Sequence, residues 1–362
     1  MWSSFLVFVM ASSAFAQDPA ADLENAAEVY LEASQAWDAI EEAVQLRSAR
    51  SALQVEIDIN HEGDVDDLEN PNWAWYLKER GEAMAAFTKA AAMRDCRFEF
   101  KQTSHGIEQS REFVALLRLG LLTEARAAIA LQQGDSQAAL RDLRTLIQAS
   151  RHFVAQDAML PFWVAQYLEC YAYRLALRLL RTAPEADAFV RMEVERAMAE
   201  LQQQPITPAH GFKVCVVDSK QRASWFLQNI PRGLSRRLSR KSRAELSESA
   251  LTKVVTDELR LVWAPLLKDA STDMVKARAL SESAIQDLIA RSSKDLADWK
   301  AEENAWFPSD MTTDGALLAI GLAVTQQQLS ILVPVLDAFV RNQALASACD
   351  KELAAGKAGT SK

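Results

Sequence analysis

The residues best equipped for chemistry stand in an acidic stretch, DINHEGDVDDLE, residues 58–69. Asp58, Asn60, Gly63 and Glu69 occupy positions 1, 3, 6 and 12 of the calcium-loop pattern D-x-[DN]-x-[DN]-G-x5-E. Alternating oxygens can wrap a hard cation, and the glycine permits a sharp turn. Three features oppose a metal. Glu62 stands where a shorter Asp or Asn is wanted, and Pro71 falls where the exiting helix should already be running. No second such loop accompanies it. The stretch reads as an acidic connector between helices, and no metal or other cofactor is expected.

Other groups offer less. Ser104-His105 and Thr207 with His210 are hydroxyl–imidazole neighbours in loops, but neither sits in a G-x-S-x-G turn or another triad context. Only 11 of 362 residues are glycine, and no GxGxxG or GxxxxGK[ST] occurs, which argues against the common nucleotide chemistries. Cys96, Cys170, Cys215 and Cys349 form no CxxC and no zinc-spaced cluster. In an oxidising compartment they could pair in three connectivities, although Cys170, inside YLECYAY, has the surroundings of a thiol packed as a small hydrophobe. The run RGLSRRLSRKSR, residues 232–243, holds six cations and no acid. Arg236, Arg237, Arg240 and Lys241 could contact an anionic surface, with Leu234 and Leu238 one turn apart. No aromatic residue interleaves them, so nucleic acid is not expected as a partner.

The elements that must position these groups are helical. Ala, Leu, Gln, Glu and Arg dominate, and they are strong helix formers. Val29, Ala33, Ala36, Trp37, Ile40 and Val44 recur at three-four spacing. A second helix follows the acidic loop, with Asn70 as its cap and Pro71 opening it, and runs to about Asp95. CRFEFKQTSHG reads as extended. Two long helices then turn at Gly134-Asp135, and LQQGDSQAALRDL resembles the turn of a tetratricopeptide hairpin; the pattern does not recur 34 residues on. An aromatic-rich helix follows from Pro161 to about Arg181, and another from Pro184 to Gln203. QPITPAHGFKVCVVDSK, with two prolines, a glycine and FKVCVVD, predicts a short strand or extended crossover and a domain boundary.

At the N-terminus, MWSSFLVFVMASSAFAQD has a short apolar run and an Ala14-Phe15-Ala16 cleavage pattern, so residues 1–16 are expected to be a signal peptide. The protein is then expected to be periplasmic or secreted. No later segment approaches the ~20 apolar residues of a membrane span; LLAIGLAV near residue 320 is too short.

The motifs NAA-x-x-Y (Asn25 to Tyr30), C-x-F (Cys96 to Phe98), the Gly134-Asp135 turn and the Arg151-His152 pair give a resemblance over about residues 24 to 200. The chain resembles a group of exported, uncharacterised α-helical proteins of planctomycete-like bacteria. The resemblance implies an exported helical fold without implying any chemistry. It also puts residues 58–69 at a variable connection between helices.

The expected architecture is all-α: a helical hairpin array, partly tetratricopeptide-like, over residues 17–204, an irregular crossover with the basic loop over 205–243, and a long-helix bundle over 244–362. The leading functional expectation is a non-enzymatic module binding another envelope protein or peptide through Phe162, Trp163, Tyr167 and Tyr171. The alternative is an enzyme or small-ligand binder with a site buried in the bundle, using His105 or Arg151-His152.

Overall fold

The structure is a computed structural model describing residues 25–47, 72–100, 102–103, 106–107, 110–182, 188–203, 205–228, 247–267, 275–287, 332 and 334–355. The acidic stretch 58–69, Asn70 and Pro71, Ser104-His105, the signal-like segment 1–16 and the basic run with Arg236, Arg237, Arg240 and Lys241 lie outside the described residues.

The fold is all-α. Helices α1 (Ala26–Arg47), α2 (Asn72–Glu79) and α3 (Gly81–Ala92) come first, followed by a two-residue antiparallel pairing of Gln102–Thr103 with Gly106–Ile107. Then come α4 (Ser110–Gln132), α5 (Ser136–Val154), α6 (Met159–Thr182), α7 (Ala188–Gln203), α8 (Pro208–Gln228) and α9 (Glu248–Leu267). Residues 275–287 form α10, and 334–355 a final helix.

Local sequence explains several of these boundaries. Asn25 caps α1, its Oδ1 accepting from the Ala27 amide at 3.1 Å. The same side chain clasps Arg97 from both sides: Nδ2 donates to the Arg97 carbonyl at 2.8 Å, and Oδ1 accepts from the Arg97 amide at 2.9 Å. The single helix expected after residue 71 is instead two, bent at Arg80. Arg80 is buried with its guanidinium 4.1 Å from the centre of the Trp37 ring and Nη1 donating to the Trp37 carbonyl at 2.7 Å. That cation–π and hydrogen-bonded anchor on α1 draws the chain in at the bend.

The turn between α4 and α5 forms where the sequence predicts it. Gly134 has φ +81°, a conformation glycine adopts at little cost, and the Asp135 carboxylate accepts from the Ala138 amide at 2.9 Å. Ala127 and Ala139 are fully buried, small enough to let the two helices close on each other.

FKVCVVD is a correction. It lies inside α8, neither a strand nor an extended crossover. Thr207 supplies the cap, its Oγ1 accepting from the His210 amide at 3.2 Å, and Pro208 opens the helix where its missing N–H costs nothing. Gly211 reflects packing rather than helix breaking: a Cβ there would come 2.6 Å from Trp263 and 3.1 Å from Phe162. Val214 and Cys215 form the buried side of a helix that crosses α6 and α9 closely.

Helix α6 is the central strut. It packs against α4, α5, α7 and α8, and its side chains are buried almost all round. Leu168, Leu175 and Leu179 are fully buried, each contributing on the order of 1.5–3 kcal/mol of apolar transfer. Two cores meet on this helix. The larger gathers Tyr30, Phe87, Phe113, Leu143, Phe153 and Leu168, and Cys349 of the final helix reaches it. The second gathers Met159 and Phe162 of α6 with Val214, Trp263, Leu336 and Phe339. No disulfide joins the four cysteines; Cys170, Cys215 and Cys349 are buried. Burial pushes the Cys170 thiol up to about 11 and that of Cys96 to about 12, which keeps both protonated and inert.

Candidate functional site

Phe162, Tyr167 and Tyr171, expected to bind a partner, are core side chains. Phe162 is fully buried and packs edge-on against His210 at 5.3 Å and near Phe339 at 6.2 Å. Tyr171 is buried against Gly120, where a Cβ would stand 3.4 Å from its ring. Tyr167 is buried, and Trp163, half-buried, meets it edge-on at 5.6 Å. The reason is topological: α4, α5, α7 and α8 pack around most of α6, so Phe162, Tyr167 and Tyr171 became core.

The pair Arg151-His152 divides. Adjacent residues on a helix point about 100° apart, and these two serve different partners. The His152 Nδ1 lies 3.2 Å from the Tyr30 hydroxyl, among the rings of Tyr30 and Phe153. Burial depresses its pKa, partly offset by a backbone hydrogen bond with Met93 and by the charge of Asp95. Which of Tyr30 Oη and His152 Nδ1 donates depends on the imidazole tautomer. Gln156 completes this joint, donating to the carbonyls of Cys96 at 3.0 Å and His152 at 2.8 Å and accepting from the Phe98 amide at 3.3 Å. Asn25, Tyr30, Cys96, Phe98 and His152 thus come together as a fastening between α1, the loop after α3 and the end of α5. Every polar group named there has a structural partner.

Arg151 faces the other way. Its Nη1 approaches the Glu169 carboxylate at 3.4 Å, and Nη2 donates to the Glu200 and Leu201 carbonyls at 3.2 and 3.0 Å. Glu169 is only 4% exposed, and burial raises its pKa to about 8 against the lowering charge of Arg151. It lines a cavity of about 400 Å³ at the seam between the two cores. Helix α6 contributes Glu169 and Tyr173; the turn into α8 contributes Ile206 and Thr207. Leu266 closes one side from α9, and Phe339, Asn342 and Ala346 line it from the final helix. Asn342 is oriented by its Nδ2, which donates to the Gln166 carbonyl at 2.9 Å, and its Oδ1 is buried with no hydrogen-bond partner among the described residues. Gln166, one turn before Glu169, is fully buried, and neither of its side-chain polar atoms is paired among the described residues.

Two other groups drop out. Thr207 and His210 serve the α8 cap, not an acid–base pair. A shallower cavity of about 570 Å³ between α8 and α9 presents Lys220, Lys253 and Arg260 with Asp257 3.7 Å from Arg260. Its charges are exposed and solvated, so it lacks the built character of the Glu169 cavity. Among the described residues no cluster of His, Cys, Asp and Glu could hold a metal, and no helix is long and apolar enough to cross a membrane.

Sequence reasoning passed over Glu169, Tyr173 and Asn342. One signal was available. Glu169 is the only acid in the 24 residues of α6, set inside an apolar face where a solvated carboxylate has no place. Asn342 gave none, because the polar residues of the final helix are also frequent on its exposed side. Comparison with protein-family models, curated proteins and solved structures returns no match for this chain.

Proposed function

We propose that this protein binds a small organic molecule in the cavity between α6, the turn into α8, α9 and the final helix. The observation that carries the reading is Glu169. A carboxyl group kept 4% exposed, with a long contact to Arg151 and facing a cavity, is costly to retain in a helix that could have buried another leucine. Apolar walls with a few convergent polar groups and a displaced pKa are the usual make-up of a ligand site. The volume suits a molecule of modest size. An exported setting, with residues 1–16 as a leader, belongs to the same proposal and rests on the sequence pattern alone.

The test uses a neutral fluorescent probe, N-phenyl-1-naphthylamine, titrated into the full chain. Saturable enhancement at one site per chain is expected. It should disappear in Ala346→Trp, which fills the cavity from the final helix, while the far-ultraviolet circular dichroism is retained. Absence of saturable binding, or binding that survives Ala346→Trp, overturns the proposal.

A further inference from the structure

The reading above leaves the chemistry of the ligand open, and the lining of the cavity narrows it. Among the described residues its one readily ionised group is an acid. No described Lys, Arg or His lines it; beyond Glu169 the titratable member among the described residues is the Tyr173 phenol, whose pKa burial raises. Arg151 acts on Glu169 from α5, but its contacts run to Glu169 itself and to the carbonyls of Glu200 and Leu201 at the end of α7, away from a ligand anion. The turn into α8 brings Ile206 and Thr207, and α9 brings Leu266 and Leu267, none of them titratable. The final helix brings Asn342 and Gln343, both uncharged, while its Asp350 acts on Tyr173.

Gln166, whose Nε2 and Oε1 are both unpaired among the described residues, does not line the cavity, and the groups beside it that want a partner are acceptors. The Asn342 Oδ1 is buried without a donor among the described residues, and its orientation is fixed by the bond from Nδ2 to Gln166. Among the described residues the Glu169 carboxylate has one charge-assisted contact, at 3.4 Å, beyond the usual range for a strong N–H···O bond. The rings of Tyr173 and Phe339 also line the space, and a cation against an aromatic face gains electrostatic attraction. Apolar side chains make up most of the rest.

From this we infer that the cavity takes an amphipathic amine, its protonated amino group between Glu169 and the Asn342 Oδ1 and its apolar body along Leu266, Ile206 and Phe339. An ammonium offers the three donors that these acceptors lack. A carboxylate would meet a second acid and, among the described lining residues, no cation. A neutral alcohol would fill the volume but supply only one donor. The inference rests on the proposal that the cavity is a ligand site. It adds a coupling to protons: an amine bound beside Glu169 requires the ionised carboxylate, so below about pH 8 binding releases a proton from Glu169.

The experiment compares hexylamine, hexanol and hexanoate, which share a tail and differ in head group, as displacers of N-phenyl-1-naphthylamine from the full chain. Hexylamine is expected to displace about tenfold more strongly than hexanol, and hexanoate least, a tenfold ratio being about 1.4 kcal/mol. The hexylamine advantage over hexanol should grow as pH rises toward 8 and vanish in Glu169→Gln. Equal displacement by hexylamine and hexanol, or a lead for hexanoate, overturns the amine and leaves the cavity as a site of another chemistry. An amine advantage that persists in Glu169→Gln and Asn342→Leu overturns the assignment of these two residues. If the probe itself fails to bind, the ligand-site proposal falls first and the amine with it.

Discussion

Arg151 lies 3.4 Å from the Glu169 carboxylate, its other nitrogen bonded to two carbonyls at the end of α7. The guanidinium ties α5 to α7 and only incompletely answers the acid on α6. Burial raises the Glu169 pKa to about 8, and the nearby Arg151 charge offsets that only in part, so the acid keeps a proton at neutral pH.

The consequence for stability has a definite sign. Below 4.5 both the folded and unfolded chain hold the Glu169 proton; between 4.5 and about 8 only the folded chain does. The contribution of this side chain is therefore complete at low pH, declines through that window as pH rises, and is lost above it. Glutamine cannot ionise. Thermal unfolding of Glu169→Gln from pH 5 to 8.5 should give a flatter profile than the parent, the two differing most in slope between pH 6 and 8; parallel profiles would refute the shifted acid.

At the close crossing of α8, Gly211→Ala adds a methyl where Trp263 and Phe162 leave 2.6 and 3.1 Å. Helix propensity favours the substitution by about 1 kcal/mol, but neither ring can withdraw from a fully buried site. Overpacking should dominate, for a net loss on the order of 1–3 kcal/mol in chemical denaturation. A gain in stability would show that the crossing can relax.

Removing the Tyr30 hydroxyl tests the fastening among α1, the loop after α3 and α5. Tyr30→Phe leaves the ring stacking and strands the His152 Nδ1, at a cost of about 1–3 kcal/mol. His152 has a depressed pKa, so its contribution holds above 6.5 and falls as pH drops below it, when the unfolded chain takes up a proton first. Imidazole nitrogen shifts measured by NMR should report neutral His152 at pH 7 in the parent. A charged ring there would contradict the assignment.

Between α4 and α6, the fully buried Glu124 accepts from Arg174 Nε at 3.0 Å. Glu124→Gln leaves a largely buried guanidinium without its counter-charge. A loss of about 3–5 kcal/mol is expected, read as the shift in denaturation midpoint. Glu124→Leu with Arg174→Met should recover most of it, since well-packed apolar groups replace such pairs at little cost.

Much of the architecture follows from near-neighbour chemistry written along the chain. Gly134 and Asp135 specify the α4–α5 turn by a left-handed glycine and a capping carboxylate, each local to a few residues. The face with Val29, Ala33 and Trp37 is buried as its spacing predicts. FKVCVVD misled because β-branched residues favour strands only when nothing else decides; a Thr207 cap, Pro208 at the first helical position and ring contacts at Gly211 outweighed that preference. The prolines and glycine that looked like breakers hold a cap and a close crossing.

What tertiary structure alone decided is which polar groups meet. Arg151 and Glu169 stand on different helices, and Asn342 is far along the chain from both, so no local rule links them. Likewise, Phe162, Tyr167 and Tyr171 show a stripe in the sequence, but only the packing of α6 among its neighbours determines that the stripe is core. Periodicity reports that a helix has an apolar face; it carries no information about whether solvent, a partner or the rest of the chain covers it. Spacing and composition determined that this chain is helical and where its α4–α5 turn falls. The burial of Glu169 against a cavity, and with it the candidate site, arose only when two cores closed on the same helix.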